Sequence, residues 1–368
     1  MNQTRGPSEA ARHRAGIRPR RLRNVVLVGA VLAVVSTGHA KPRISILATG
    51  GTIAGAQADR TQAGYQAGKF QIADLIAAVP QLNDLAELSG EQVANIGSQT
   101  MTDQVWLTLA KRANEVLKRR DVDAIVVTHG TDTLEETGYF LNLVVKSDKP
   151  VVLVGSMRPA TAIGADGPAN LYDAVAVAAN PEARGRGVLA VLNNEIHYAR
   201  EIEKRNATQL DTFESPNRGR AGLVNTGHVV FFAKPTSRHT TETEFKVDSL
   251  ERLPRVEIVY SYANLGPEFI DFAVKDGARG LVLAGVGDGN TTDAALAALE
   301  RAAKQGVVVV RSTRTGSGIV ARNMELDDDR LGFVASMDLN PQKARVLLML
   351  GLTRTTDPRQ LQEMFYRY

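Results

Sequence analysis

The sequence predicts an α/β protein: a larger N-terminal domain built on a doubly wound, mostly parallel sheet, then a smaller C-terminal α/β domain. Three observations predict it. Short, continuous β-branched runs recur along the chain, segments of helical period separate them, and the alternation breaks at a polar stretch before restarting. Unbroken apolar runs suit strands buried on both faces. Strand alternating with helix suits parallel pairing through helical crossovers. With 368 residues and 43% hydrophobic content, the chain has material for two domains.

Residues 1–40 read as a secretory leader. They carry seven arginines against one acid, Glu9. The whole chain is +4 and this segment is +6, so 41–368 is −2. The basic balance belongs to the leader and gives no reason to expect a nucleic-acid partner. The basic part ends at Arg23, Val25 to Val35 is apolar, and the small residues Gly38 and Ala40 suit cleavage before Lys41. An uncleaved N-terminal anchor is the alternative reading. Arg20-Arg21 is only a weak match to a twin-arginine signal. The processed protein is expected to be periplasmic, soluble and free of membrane contact. Cysteine is absent, which excludes disulfides, a thiol nucleophile and a thiolate metal site.

In the N-terminal domain, 41–232, strands are expected at 43–49, 123–128, 150–155 and 187–192. Helices are expected at 102–119, with Val105, Leu109, Ala113 and Val116 on one face, and at 131–146 and 168–179. Residues 233–255 are polar and lack an apolar period, so they read as a linker or extended crossover. In the C-terminal domain, 256–368, strands are expected at 256–261, 280–285 and 306–311. Helices are expected at 267–276, 291–304, 341–353 and 358–366. Ligands of open parallel sheets bind at the carboxyl ends of the strands.

Two motifs stand at such ends. Thr49-Gly50-Gly51-Thr52-Ile53-Ala54-Gly55 runs from a strand into a glycine turn that presents a hydroxyl. Glycine permits positive φ and close approach of a ligand. A phosphate loop is excluded because Ala56-Gln57 stand where Lys and Ser/Thr are needed, and the spacing is not that of a dinucleotide turn. The second motif is Thr128-His129-Gly130-Thr131-Asp132-Thr133, again strand, turn and helix. Read singly, Thr131 or Asp132 at the helix start is an ordinary N-cap and His129 an ordinary structural histidine.

Together, Thr-Gly-Gly-Thr-Ile-Ala-Gly and His-Gly-Thr-Asp-Thr resemble the two signatures of the bacterial-type L-asparaginase family. The resemblance covers essentially all of 43–368. It extends to Gly90-Glu91-Gln92, Gly97-Ser98-Gln99, Val154-Gly155-Ser156-Met157-Arg158-Pro159, Ala165-Asp166-Gly167-Pro168 and Asn340-Pro341-Gln342-Lys343-Ala344-Arg345. With the leader, the chain looks like the exported, type II branch.

The resemblance implies an L-asparagine amidohydrolase that works through a threonine ester and has some glutamine activity. Thr52 matches the primary nucleophile and Tyr65 the tyrosine of a glycine-rich lid, 62–68. Thr131, Asp132 and Lys204 match a second set, in which Lys204 helps deprotonate Thr131 or a water. A lysine does so only if burial or nearby positive charge lowers its pKa. On sequence grounds alone either threonine could attack first. Ser98 and Gln99 match the pair that holds the substrate α-carboxylate and α-amino groups. Ser156 matches a position whose backbone meets the leaving amide. Asp132 would pair with the substrate ammonium.

Asn290 and Glu325 match residues that reach a neighbouring subunit's site, which implies a homotetramer with shared active sites. Without the family, Gly285–Asn290 is a failed dinucleotide loop and Glu325 lies in a solvated acidic run. The chain departs from the pattern at Thr100, Asp288, Ser261 and Leu265, any of which could tune the asparagine/glutamine preference. No cofactor or metal is implied, since His129, His197, His228 and His239 lack ligand spacing. Two other readings remain: a glutaminase-leaning enzyme, told apart by relative ammonia release, and a non-catalytic binding protein, which would lack a threonine or the lysine.

Overall fold

The computed structural model describes residues 40–58 and 64–368. The leader reading falls on residues outside the described ones, as does the first part of the expected lid. Five parallel strands form the body of an eight-stranded sheet. In spatial order they are Glu87–Ile96, Arg43–Gly50, Ala124–Thr128, Val151–Val154 and Val188–Leu192. Four were expected to within a residue or two. The fifth, Glu87–Ile96, was not. It is an edge strand with one neighbour, so it needs no continuous apolar run, and Glu-Leu-Ser-Gly-Glu-Gln-Val-Ala-Asn-Ile has none.

Beyond Val188–Leu192 the sheet turns antiparallel through Glu195–Tyr198, Gly222–Asn225 and His228–Phe231. Asn193 and Asn194 both take positive φ, 49° and 64°, in the two-residue turn before Glu195. That twist suits a tight hairpin, and asparagine tolerates it.

Helices cover both faces. In Asp103–Lys118 the Thr102 hydroxyl accepts from Val105 N at 3.3 Å, which supplies the N-cap. Leu109, Ala113 and Val116 are buried as expected, while Val105 at the first turn is only partly so. Helix Leu134–Val144 begins three residues later than expected. Thr131 and Asp132 therefore lie in the turn before the helix. The N-cap position falls to Thr133, whose hydroxyl instead donates to Ser98 O at 2.9 Å.

The C-terminal sheet is parallel throughout, in the order Val256–Tyr260, Gly280–Gly285, Val308–Thr313 and Val334–Ala335. Helices Glu268–Lys275 and Asp293–Lys304 pack on its core with Leu281, Leu283 and Val309. Helix Pro341–Gly351 belongs to a core that also contains Leu141, Val144, Val282 and Val310, so it joins the two sheets. Segment 233–255 is pinned as well. Phe245 and Val247 are buried, and Lys146 Nζ donates to Thr240 O at 3.0 Å and Thr243 O at 2.9 Å.

Candidate active site

Parallel neighbours end on the same edge, so four turns meet at one rim. Strands 43–50, 87–96, 124–128 and 151–154 deliver Gly51-Thr52, Gly97-Ser98-Gln99, His129-Gly130-Thr131-Asp132 and Gly155-Ser156. Thr49 Oγ1 donates to Thr128 O at 2.8 Å and ties the two threonine strands together just below it. Above it the turns touch. Gly51 has φ +83°, and a Cβ there would stand 2.4 Å from Gly130 N. Only glycine allows so close an approach in that conformation.

Thr52 opens a short 3₁₀ turn and is 7% exposed. Its hydroxyl lies 2.8 Å from the Tyr65 hydroxyl. Tyr65 sits on a two-residue strand paired with Ala56–Gln57, and the residue is 45% exposed. The second set centres on Lys204, on the strand Glu203–Lys204. Its Nζ donates to Thr131 Oγ1 at 3.0 Å and Asp132 Oδ1 at 2.6 Å. Thr131 is buried, whereas the Asp132 side chain is 56% exposed.

Glu135 anchors this lysine. Its carboxylate accepts from Lys204 N at 3.3 Å and from Gln342 Nε2 at 2.7 Å. A cleft of about 640 Å³ opens beside the second set, lined in part by Asp132, Lys204, Tyr260, Arg314 and Gln342.

Ser98 is buried, and its hydroxyl accepts from Asp132 N at 3.1 Å, leaving its own proton to donate. Gln99 is exposed at the rim. Ser156 is wholly buried and its hydroxyl donates to Arg158 O at 2.7 Å, so its side chain serves its own loop. Asp166 holds that loop from the far side, accepting from Met157 N and Arg158 N at 2.9 Å each. Asn170 Nδ2 donates to Gly155 O at 3.0 Å.

His129 is fully buried beneath the rim. One ring nitrogen, Nδ1, pairs with Gly130 O at 2.7 Å, and Nε2 has no partner among the described residues. Burial holds its pKa down at about 4, so the ring is neutral near pH 7.

Thr52, Tyr65, Ser98, Gln99, Thr131, Asp132, Ser156 and Lys204 thus come from one sheet edge or reach it. Asn290 and Glu325 do not. Asn290 closes the loop after Gly280–Gly285, where it and Val286 exchange backbone hydrogen bonds of 2.9 and 2.8 Å. Glu325 is exposed. Among the described residues neither side chain bonds to the Thr52 or Thr131 sets. Among the described residues no group of three or more His, Asp or Glu is disposed to hold a metal ion.

Glu135, Asp166 and Asn170 were not singled out from the sequence. Glu135 and Asn170 belong to no motif quoted from the sequence, and Asp166 stands there only as part of Ala165-Asp166-Gly167-Pro168. The partners of Glu135 lie 69 and 207 residues away, while Asp166 and Asn170 reach 8 to 15 residues back across an irregular loop, a spacing that no helix or strand period reveals.

Chemically, the rim offers two buried threonine hydroxyls, one on a tyrosine hydroxyl and one on an ammonium. It also offers the Asp132 carboxylate, whose Oδ2 has no hydrogen-bond partner among the described residues. Two family models match the chain: "Asparaginase, N-terminal" over 43–237 and "Glutaminase/Asparaginase C-terminal domain" over 255–365. L-asparaginase 2 of Bacillus subtilis is 54% identical over 328 residues, 89% of this chain and 87% of that protein. The glutaminase-asparaginase of Pseudomonas fluorescens is 46% identical, covering 93% of this chain and 94% of its own. The crystal structure of a probable cytoplasmic L-asparaginase from Campylobacter jejuni superposes with a TM-score of 0.87 at 48% identity. It covers 89% of this chain and 100% of that one.

Proposed function

The chain belongs to the asparaginase family and hydrolyses the side-chain amide of L-asparagine, and from that premise we propose how it does so. Thr52 Oγ1 attacks the carboxamide carbon. Its proton passes to Tyr65 Oη, which relays a proton to the departing nitrogen. The C–N bond breaks, ammonia leaves, and a threonine ester remains. Water then attacks the ester carbon, oriented by Thr131 and Lys204. The Thr52 oxygen leaves with a proton, and L-aspartate is free.

Asp132 binds the substrate ammonium through the oxygen that Lys204 does not use. Ser98 donates to the α-carboxylate, Gln99 contacts the α-amino group, and the backbone at Ser156 meets the amide. Asn290 and Glu325 serve a neighbouring subunit's site, within a homotetramer. L-Glutamine is a slower substrate, because one methylene changes binding by only about 1–3 kcal/mol. The leader directs export to the periplasm.

The observation that carries this reading is the hydrogen bond between the buried Thr52 hydroxyl and Tyr65 Oη, 2.8 Å, at the rim where the Lys204–Thr131 pair also stands. The test is steady-state ammonia release from asparagine and glutamine, for the parent and Thr52→Ala. The variant should lose at least about 10³-fold in kcat. Full turnover by Thr52→Ala would remove Thr52 from the nucleophile's role. Faster turnover of glutamine would favour the glutaminase-leaning alternative.

A further inference from the structure

We propose that Arg311 is the positioning residue for Asn290 and Glu325, holding the two loops that carry them in a single arrangement. This rests on the reading of those two residues as contributors to a neighbour's site. Arg311 lies on Val308–Thr313 and, like Asp328, has no exposed side-chain surface. Its guanidinium is used as a fork. Nε and Nη2 donate to Asp328 Oδ1 and Oδ2 at 2.6 and 2.8 Å. Nη1 donates to Asp288 O at 2.9 Å, two residues before Asn290. Nη2 also reaches Ala321 O at 3.3 Å, four residues before Glu325. Asp328 in turn accepts from Asn323 N at 2.9 Å, two residues before Glu325.

One rigid side chain on an interior strand therefore fixes the backbone of both loops. The first loop lies hard against it. Gly289 has φ +71°, and a Cβ there would stand 3.0 Å from Arg311 Nη1 and 2.9 Å from Val320 Cγ1. A buried ion pair alone can be replaced by apolar side chains without loss of the fold. The two carbonyl contacts cannot, and a lysine, with one point charge, cannot make the fork. Loop placement is thus the part of this residue's role that packing does not supply.

The test uses the full oligomeric enzyme carrying Arg311→Lys, checked for parental mass and circular dichroism. KM for asparagine should rise and kcat/KM fall by about 100-fold, the scale of a displacement on the order of 1 Å. Mixed oligomers with Thr52→Ala should regain activity, because the Thr52→Ala chain supplies intact loops to the Arg311→Lys chain's threonines. Glu325→Ala mixed with Thr52→Ala is run beside it. Rescue of Glu325→Ala without rescue of Arg311→Lys overturns the positioning role and leaves the shared site standing. Parental kinetics for Arg311→Lys also overturns it. Failure of Glu325→Ala to be rescued, with mixing confirmed, removes the shared site and this inference with it. If Arg311→Lys does not fold, the double variant Arg311→Met/Asp328→Leu takes its place. A rescuable loss there upholds the role, and parental kinetics overturns it.

Discussion

Replacing His129 by Asn should make stability rise, relative to the parent, as the pH falls from about 8 to about 5, and replacing Glu136 by Gln should make it fall. His129 is fully buried and burial lowers its pKa from 6.5 to about 4. As the pH drops through 6.5, the unfolded chain takes up a proton that the folded chain refuses. Stability is therefore lost until about pH 4, by about 3 kcal/mol in all and about 2 by about pH 5.

Glu136 runs the other way. Burial raises its pKa from 4.5 to about 7 in spite of nearby Arg345. Its side chain is 20% exposed. Below about pH 7 the folded carboxyl is protonated while the unfolded one stays ionised down to 4.5. Stability is gained over that window, again by about 3 kcal/mol, most of it by about pH 5. In the parent the two contributions oppose each other. His129→Asn keeps a donor for Gly130 O and removes the first contribution. Glu136→Gln keeps the shape and removes the second.

Any constant offset from altered packing drops out of the comparison, because only the pH dependence is read. The assay is thermal unfolding at matched ionic strength. A difference of about 2 kcal/mol corresponds to roughly 3 °C of relative shift for a chain of this length. The variants should diverge from the parent in opposite directions. If all three profiles run parallel, the assignment of a neutral buried imidazole and a protonated buried carboxyl is wrong.

Two further substitutions test the rim. Gly51→Ala places a Cβ 2.4 Å from Gly130 N at φ +83°, so the threonine turns must separate. It should lower Tm and cut kcat at least about 10-fold for a displacement well under about 1 Å. An unchanged kcat would show that the turn contact does not set the spacing of the two threonines. Lys204→Met removes the donor to Thr131 and Asp132 that orients the attacking water, and kcat for asparagine should fall by about 10²-fold, the scale of a misplaced reactant. A change in KM alone would assign Lys204 to binding.

Most of the strands and helices, and the turns that carry hydroxyls, can be read from the chain alone. Those properties are local. The apolar run at 124–128 and the glycine turns after 50 and 128 are legible within a few residues. The chain alone does not reveal Glu87–Ile96, whose half-exposed edge position lacks the expected pattern, nor that Thr131 and Asp132 precede their helix rather than begin it.

Which side chains meet is fixed by the folded arrangement. Lys204 bonds to residues 72 and 73 positions away, and Glu135 is joined to Gln342 across 207. Such pairings follow from strand order, with 87–96 and 124–128 flanking 43–50, and from the turns that leave each carboxyl end. Strand order is set by burial of whole faces, which no local spacing encodes. The same holds for Arg311: in sequence it is one arginine after a run of valines. In the fold it is the buried fork between two loops.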